Sequence, residues 1–135
     1  MPKLLYANGC SMTYGAELGG IGSKAETEEE DKYRIEHAWP NQLGKMLKIE
    51  SVNDGWPGCS NDSILRRTFE WLGQYKGKPE DLFVVIGWSG PGRREVRLPG
   101  GGWVSIIPTW MPPNYPMKKI TKFYNKFLYD ELHSL

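Results

Sequence analysis

The sequence predicts an α/β fold in which helices wrap a parallel sheet. Three short apolar runs, "KLLYAN" at 3–8, "IESVND" at 49–54 and "DLFVVIG" at 81–87, each end at a glycine or a turn. A helical pattern lies between each pair of runs, and strands that alternate with helices typically form a parallel sheet. The run at 81–87 has no polar interruption, which is typical of a strand buried on both faces.

Two amphipathic helices are predicted between the strands. "AWPNQLGKMLK" has Pro40 near its start, and its apolar stripe is Trp39, Leu43, Met46 and Leu47. "SNDSILRRTFEWLGQY" opens with the cap-type residues Ser60, Asn61 and Asp62. Its stripe is Ile64, Leu65, Thr68, Trp71 and Leu72.

The remaining segments complete one domain over 1–135. Residues 16–36 are glycine-bearing and then strongly acidic, which indicates a flexible, solvated excursion. Residues 95–108 predict a hairpin at the rim of the sheet, and a proline-rich connector follows. The segment 117–135 predicts a last helix, with the stripe Ile120, Phe123, Tyr124, Phe127, Leu128 and Leu132.

Composition limits the functional classes. A net charge of +1 gives no general attraction to nucleic acid or to a membrane, so we expect neither as a partner. No apolar run is long enough for a membrane span or a signal peptide, which favours a soluble cytoplasmic protein. Cys10 and Cys59 form no C-x-x-C pair, and we expect no cofactor or metal. A disulfide or a metal site between these two cysteines remains an alternative.

The tripeptide Gly-Cys-Ser occurs twice, each time shortly after a predicted strand. Right-handed crossovers place the carboxyl ends of parallel strands at one edge of the sheet, where ligands bind in open α/β folds. Segments 9–13, 55–63 and 87–95 should therefore face one crevice.

The first two segments offer a nucleophile and a backbone donor. Ser11, directly after a strand and a glycine turn, can present its hydroxyl to a substrate, or it can be a turn or cap residue, as can Thr13. In "NDGWPGCSND", Asn53 and Gly55 predict a tight turn and Ser60 a helix cap, which leaves Gly58 as the candidate oxyanion donor.

The third segment, "VVIGWSGPGRRE", places the Ser89 hydroxyl at the same crevice. Arg93, Arg94 and Glu95 are close enough in sequence to pair with one another at the surface.

Together these blocks resemble the SGNH/GDSL hydrolase superfamily. Four segments are similar in sequence to those of a bacteriophage-encoded branch, over roughly residues 3–95: "YANGCSMTYG", "AWPNQL", "NDGWPGCSND" and "VIGWSGPGRRE". The resemblance implies a flavodoxin-like three-layer fold and hydrolysis of esters, often acyl groups on sugars or lipids. It implies Ser11 as the nucleophile, with the Ser11 and Gly58 N–H groups in the oxyanion hole. Ser89 stands where the family has an asparagine donor, and Cys10 where it has an acidic residue.

The catalytic base of that family lies in an Asp-x-x-His block near the carboxyl terminus. "DELH" matches it as a string, with Asp130 and His133, but it lies in the predicted last helix and not after a fifth strand. The other histidine, His37, precedes "AWPNQL" at the end of the acidic segment. We therefore expect a truncated SGNH-like domain, with three core strands of five.

Two functions follow from these observations. The first is a serine esterase acting through Ser11 on a small ester or an acylated glycan, and inactive as this chain alone if a homo-oligomer or a completing chain must supply the base. The second is a non-catalytic module of the same ancestry, glycan-binding or structural in a virion. In that case the residues that could stack on sugar rings are Trp56, Trp88, Trp103 and Trp110.

Overall fold

The computed structural model describes residues 1–98 and 100–107, which form a mixed α/β fold. The strands are β1 (Leu4–Gly9), β2 (Glu50–Asn53), β3 (Leu82–Gly87), β4 (Arg94–Arg97) and β5 (Trp103–Ile106). The helices are α1 (Ser11–Tyr14), α2 (Glu28–His37), α3 (Trp39–Leu47) and α4 (Asn61–Gln74), with 3-10 turns at Leu18–Gly20 and Pro79–Asp81. The predicted fold class, three parallel strands plus a hairpin, is confirmed.

The parallel sheet has the order β2-β1-β3, so β1 is its centre. The crossover from β1 to β2 and the crossover from β2 past β1 to β3 run in opposite directions across the sheet. They therefore place α3 and α4 on opposite faces when both are right-handed. On the α4 face, the Tyr6 ring stacks on Trp71 at 4.2 Å, and Asn8 donates to the Ile64 carbonyl at 3.0 Å. Tyr6 and Asn8 are both fully buried, so the core is built on β1.

Helix α4 begins where its cap residues predict. The Ser60 hydroxyl accepts a hydrogen bond from the Ser63 N–H at 3.1 Å, which satisfies one of the free donors of the first turn. Ser60 is fully buried, so this cap also belongs to the core.

The stripe predicted for α3 is partly wrong. Met46 is 80% exposed and Leu47 41% exposed, whereas Pro40 and Gly44 are buried. A Cβ on Gly44 would lie 3.0 Å from the Ile49 carbonyl oxygen, so the helix approaches β2 through its smallest residue. Close backbone approach therefore replaces the predicted apolar contact.

The segment 16–36 is not wholly the flexible excursion that its composition indicates. Its second half is part of α2, which begins with a capping box in which Thr27 and Glu30 bond each other's backbone N–H groups. Arg34 is buried, donates to the Tyr14 carbonyl at 2.9 Å and covers the Tyr14 ring. Acidic composition indicated solvent exposure, but one buried arginine anchors the helix to the core.

Strand β3 is not buried on both faces as predicted. Phe83 and Val84 point to opposite faces, and both are exposed, at 40% and 38%. In the described part of the chain, β3 pairs only with β1 and forms one edge of the sheet.

The predicted hairpin is confirmed as β4 and β5, which pair antiparallel. The predicted surface pairing within 93–95 is wrong for Glu95. Its carboxylate instead accepts hydrogen bonds from Arg66 of α4 at 2.8 and 2.9 Å, with only 5% of the side chain exposed. This ion pair attaches the hairpin to the rest of the fold.

The predicted last helix, Trp110, Asp130 and His133 lie outside the described residues. Among the helices within them, none is both long and apolar enough to cross a bilayer.

Candidate active site at the carboxyl edge of the sheet

Thr13 lies where the three glycine turns meet. Its side chain is buried against Gly9 at the end of β1 and Gly87 at the end of β3. A Cβ on Gly87 would lie 2.7 Å from the Thr13 hydroxyl oxygen, and one on Gly55 would lie 2.8 Å from the Thr13 carbonyl carbon. Glycine is required at all three positions because α1 approaches the backbone this closely at each of them.

Hydrogen bonds attach the second turn to the first. The Trp56 N–H donates to the Gly9 carbonyl at 2.9 Å. Asn53 donates from its side chain to the Thr13 carbonyl at 2.8 Å and accepts from the Gly55 N–H at 3.0 Å. The predicted tight turn at Asn53 is therefore present, and it also fixes the position of α1.

Ser11 is the first residue of α1, and it is partly exposed. Cys10 occupies the cap position without a side-chain cap bond. In the described part of the chain, the Ser11 N–H donates to no backbone carbonyl. Ser11 thus lies at the carboxyl edge of the sheet, at the first position of α1.

Gly58 lies in a turn that its sequence specifies. The Cys59 N–H donates to the Trp56 carbonyl at 3.3 Å, Pro57 is the second residue and Gly58 the third, with φ of 79°. Proline followed by a glycine of positive φ defines a type II turn. The Gly58 N–H also donates to no backbone carbonyl among residues 1–98 and 100–107, so it is available as an oxyanion donor.

Ser89 is held beside the start of α4. Its N–H donates to the Asn61 side-chain oxygen at 2.7 Å. Its hydroxyl oxygen is buried and has no hydrogen-bond partner within the described ranges. A buried hydroxyl without a partner is costly, which is a feature of sites that bind a ligand.

The structure does not bring a described histidine to Ser11. His37 is exposed at the end of α2, where its ring stacks on Tyr33 at 4.0 Å and its Nδ1 lies 2.8 Å from the Tyr33 carbonyl oxygen. The other predicted base, His133, and Asp130 lie outside the described residues.

The two cysteines are free. Cys59 is buried, and its burial raises the pKa of the thiol, which lies 3.5 Å from the Ser63 hydroxyl. Cys10 is partly exposed. Residues 1–98 and 100–107 contain no cluster of three or more His, Cys, Asp or Glu side chains that could hold a metal ion.

The carboxylates of Glu95 and Asp54 have structural partners. Burial alone would raise the pKa of Glu95, but hydrogen bonds from Arg66 and Ser63 outweigh it and hold that pKa below its usual range. Asp54 accepts from Tyr6 at 2.7 Å and from Arg67, and burial together with this bond raises the pKa of Tyr6. These carboxylates connect strands to α4 and are not free to act as a base.

A cleft of about 560 Å³ borders the candidate site. It lies between the turn that contains Gly58 and strand β5. Trp56 and Trp103 line this cleft, and both are among the tryptophans that could stack on sugar rings. Trp88 is 59% exposed and does not line this cleft.

Sequence reasoning missed three residues that shape the site: Thr13 as the contact for all three glycines, Asn61 as the acceptor for Ser89, and Lys24 at the cleft. The spacing Ser-x-Thr after a strand is a signal for the first. No local sequence signal marks Asn61 or Lys24, because the residues that they contact, Ser89 and Trp56, lie 28 or more positions away in the chain.

The comparison with family models identifies the chain as a member of DUF6071, described as a family of unknown function, since that model matches residues 21–133. The matched range includes Gly58 and Ser89 and starts after Ser11. No curated protein and no solved structure matches the chain.

Proposed function

We propose that the protein is a serine hydrolase of the SGNH type, of the bacteriophage-encoded branch that its blocks resemble, and that it cleaves an ester or acyl group. The observation that supports this proposal is the packing of Thr13 against Gly9, Gly55 and Gly87. This packing holds Ser11 at the edge where the second and third turns also end. The substrate is a small ester or an acylated glycan, and we place the reaction in the cytoplasm.

In the proposed reaction, the Ser11 hydroxyl oxygen attacks the acyl carbon, and its proton passes to a base. The carbonyl oxygen becomes negatively charged and accepts hydrogen bonds from the N–H groups of Ser11 and Gly58, with the Ser89 hydroxyl as a further donor. The alcohol leaves with the proton. Water then attacks the acyl-serine, releases the acid and restores the serine hydroxyl.

For the base we propose His133, oriented by Asp130, and His37 is the only other histidine in the chain. A serine hydroxyl is a weak nucleophile without such a base. The exposed Phe83 and Val84 on β3 suggest that a second copy, another chain or the predicted last helix covers this part of the sheet. A second copy or another chain is then the other source of a base.

Hydrolysis of p-nitrophenyl acetate by the purified chain tests the proposal. Ser11→Ala should abolish the turnover, and Ser60→Ala, the same change in the second Gly-Cys-Ser, should retain it. His133→Ala should lower the rate by at least about a hundredfold, and His37→Ala should leave it unchanged. Equal rates for the parent and Ser11→Ala would overturn the proposal.

The second candidate is a non-catalytic module that binds glycans or has a structural role in a virion. The tryptophan-lined cleft favours it, because exposed aromatic rings in a concave site are suited to sugars. Glycan binding by a chain that neither hydrolyses esters nor reacts at Ser11 would favour this candidate over the hydrolase.

A further inference from the structure

The cleft beside Gly58 has an aromatic wall that belongs to the hairpin. Alternating residues of β5 and the position after it, Trp103, Ser105 and Ile107, line the cleft, whereas Ile106 is buried on the other side. A Cβ on Gly58 would lie 3.2 Å from the Ile107 side chain. The candidate oxyanion donor and the hairpin are therefore in contact across the cleft.

Trp103 provides a flat surface within this wall. Its side chain is 47% exposed, although the Arg66 guanidinium lies over the ring at 4.8 Å from its centroid. Arg66 is held in place by Glu95 and Glu70, so it covers one face and supports the ring. The C–H faces of sugar rings pack on aromatic surfaces of this kind.

Lys24 gives the cleft a positive charge. Its ammonium lies 4.2 Å from the centroid of the Trp56 ring, a cation–π contact that holds it over the cleft. Within the described ranges, Lys24 forms no salt bridge, and no Asp or Glu lines the cleft. The charge of Arg66, by contrast, is balanced by its two glutamates.

We propose that this cleft binds an anionic sugar, a uronic-acid residue of an acidic glycan. The sugar ring packs on Trp103, and its carboxylate pairs with Lys24. Because Gly58 lines the same cleft, an acyl group on that sugar is then directed toward the oxyanion donors. This last step rests on the proposed hydrolase function, whereas binding of the sugar does not.

Binding is tested with the full chain carrying Ser11→Ala, so that no probe is hydrolysed. The probes are tetrasaccharides of galacturonate, mannuronate and hyaluronan, and each is compared by calorimetry with its carboxyl-methyl ester. At least one acid should bind with a dissociation constant at or below the millimolar range, and its methyl ester should bind roughly tenfold more weakly.

Three substitutions in this background, with two matched controls, separate the contributions. Lys24→Gln should remove the preference for the acid over its methyl ester, and Lys24→Arg should keep it. Trp103→Ala should weaken both forms by roughly tenfold, because it removes the stacking surface. The matched controls are Lys76→Gln and Phe69→Ala, an exposed charge and an exposed ring that do not line the cleft, and neither should change the binding.

The inference is overturned if no acid binds in the millimolar range, if acid and ester bind equally well, or if Lys24→Gln keeps the preference. These failures are distinct from failure of the proposed function. Hydrolysis of esters through Ser11 without binding of acidic sugars would support the proposed function and overturn the inference. Binding of acidic sugars without hydrolysis would support the inference and overturn the proposed function.

Discussion

The first Gly-Cys-Ser, residues 9–11, begins at the last residue of β1, whereas the second copy, residues 58–60, lies between β2 and α4. Gly9 ends a strand, and any Cβ there would overlap the Thr13 side chain. Gly58 has φ of 79° in a turn, and among the described residues only the Ile107 side chain lies near its Cβ position. The first glycine is required by close packing and the second by backbone conformation.

The serines and cysteines of the two copies differ as well. Ser11 is partly exposed, whereas Ser60 is fully buried and caps α4. Cys10 is partly exposed, and Cys59 is 2% exposed. The same three residues therefore differ in exposure and hydrogen bonding because the helices that follow them differ in length and packing.

The largest effect is expected at the glycines. Gly9→Ala places a methyl group against Thr13 and 2.7 Å from the Gly87 carbonyl oxygen, and should cost roughly 3–5 kcal/mol of unfolding free energy. Gly58→Ala should cost roughly 1–2 kcal/mol, because it only strains a left-handed residue. Denaturant titrations of the two variants measure both values.

A double variant identifies the cause of the first effect. Thr13→Ala should restore part of the stability that Gly9→Ala loses, since it removes one of the two overlapping groups. Additive losses, or equal losses for the two glycine variants, would contradict the packing difference.

The next effect concerns the surroundings of the second copy. Glu95→Gln should cost roughly 2 kcal/mol at neutral pH, because it weakens the bonds that Arg66 and Ser63 donate to a buried carboxylate. The pKa of Glu95 is lowered by folding, so its contribution is present above the pKa of the unfolded chain. It is lost as the pH falls through the lower pKa of the folded state.

The measurement is the unfolding free energy of both proteins across the acidic range. The difference between the parent and Glu95→Gln should shrink toward zero as Glu95 is protonated. A difference that stays constant with pH would mean that charge is not what attaches the hairpin.

A smaller effect separates the two serines. Ser60→Ala should cost about 1 kcal/mol, since it removes the cap of α4, and Ser11→Ala should change the unfolding free energy by less than about 0.5 kcal/mol. Thermal unfolding followed by circular dichroism compares them. A larger loss for Ser11→Ala would make it the structural serine of the pair.

The smallest expected effect is a difference in alkylation rate between the two thiols, which requires no change in stability. Iodoacetamide should modify Cys10 in the folded chain, whereas Cys59 should react only after unfolding, because burial both blocks access and raises its pKa. Peptide mass spectrometry after timed labelling gives the two rates. Equal rates in the folded chain would remove the contrast between the copies.

The sequence predicted those features that depend on neighbouring residues. The strands, the Ser60 cap and the Asn53 turn have signals within a few positions, and the structure confirms them. The errors occurred where distant contacts decide the outcome. Arg34 anchors α2 through a partner 20 residues earlier, and Glu95 pairs with a residue 29 positions away. Neither partner residue lies in the stretch of sequence on which the local prediction was based.

The candidate site divides in the same way. Ser11 and Gly58 follow from local glycine turns, and right-handed crossovers place those turns at one edge. The contacts of Thr13 with three glycines, and of Lys24 with Trp56, required the folded chain. The base proposed at His133 stays a prediction.

Reaction with a fluorophosphonate probe, mapped by peptide mass spectrometry, tests the central claim most directly. We expect a covalent adduct on Ser11, absent in Ser11→Ala and undiminished in Ser60→Ala. An adduct on Ser60 or Ser89, or no adduct on a chain that unfolds cooperatively, would show that the first Gly-Cys-Ser does not present a nucleophile.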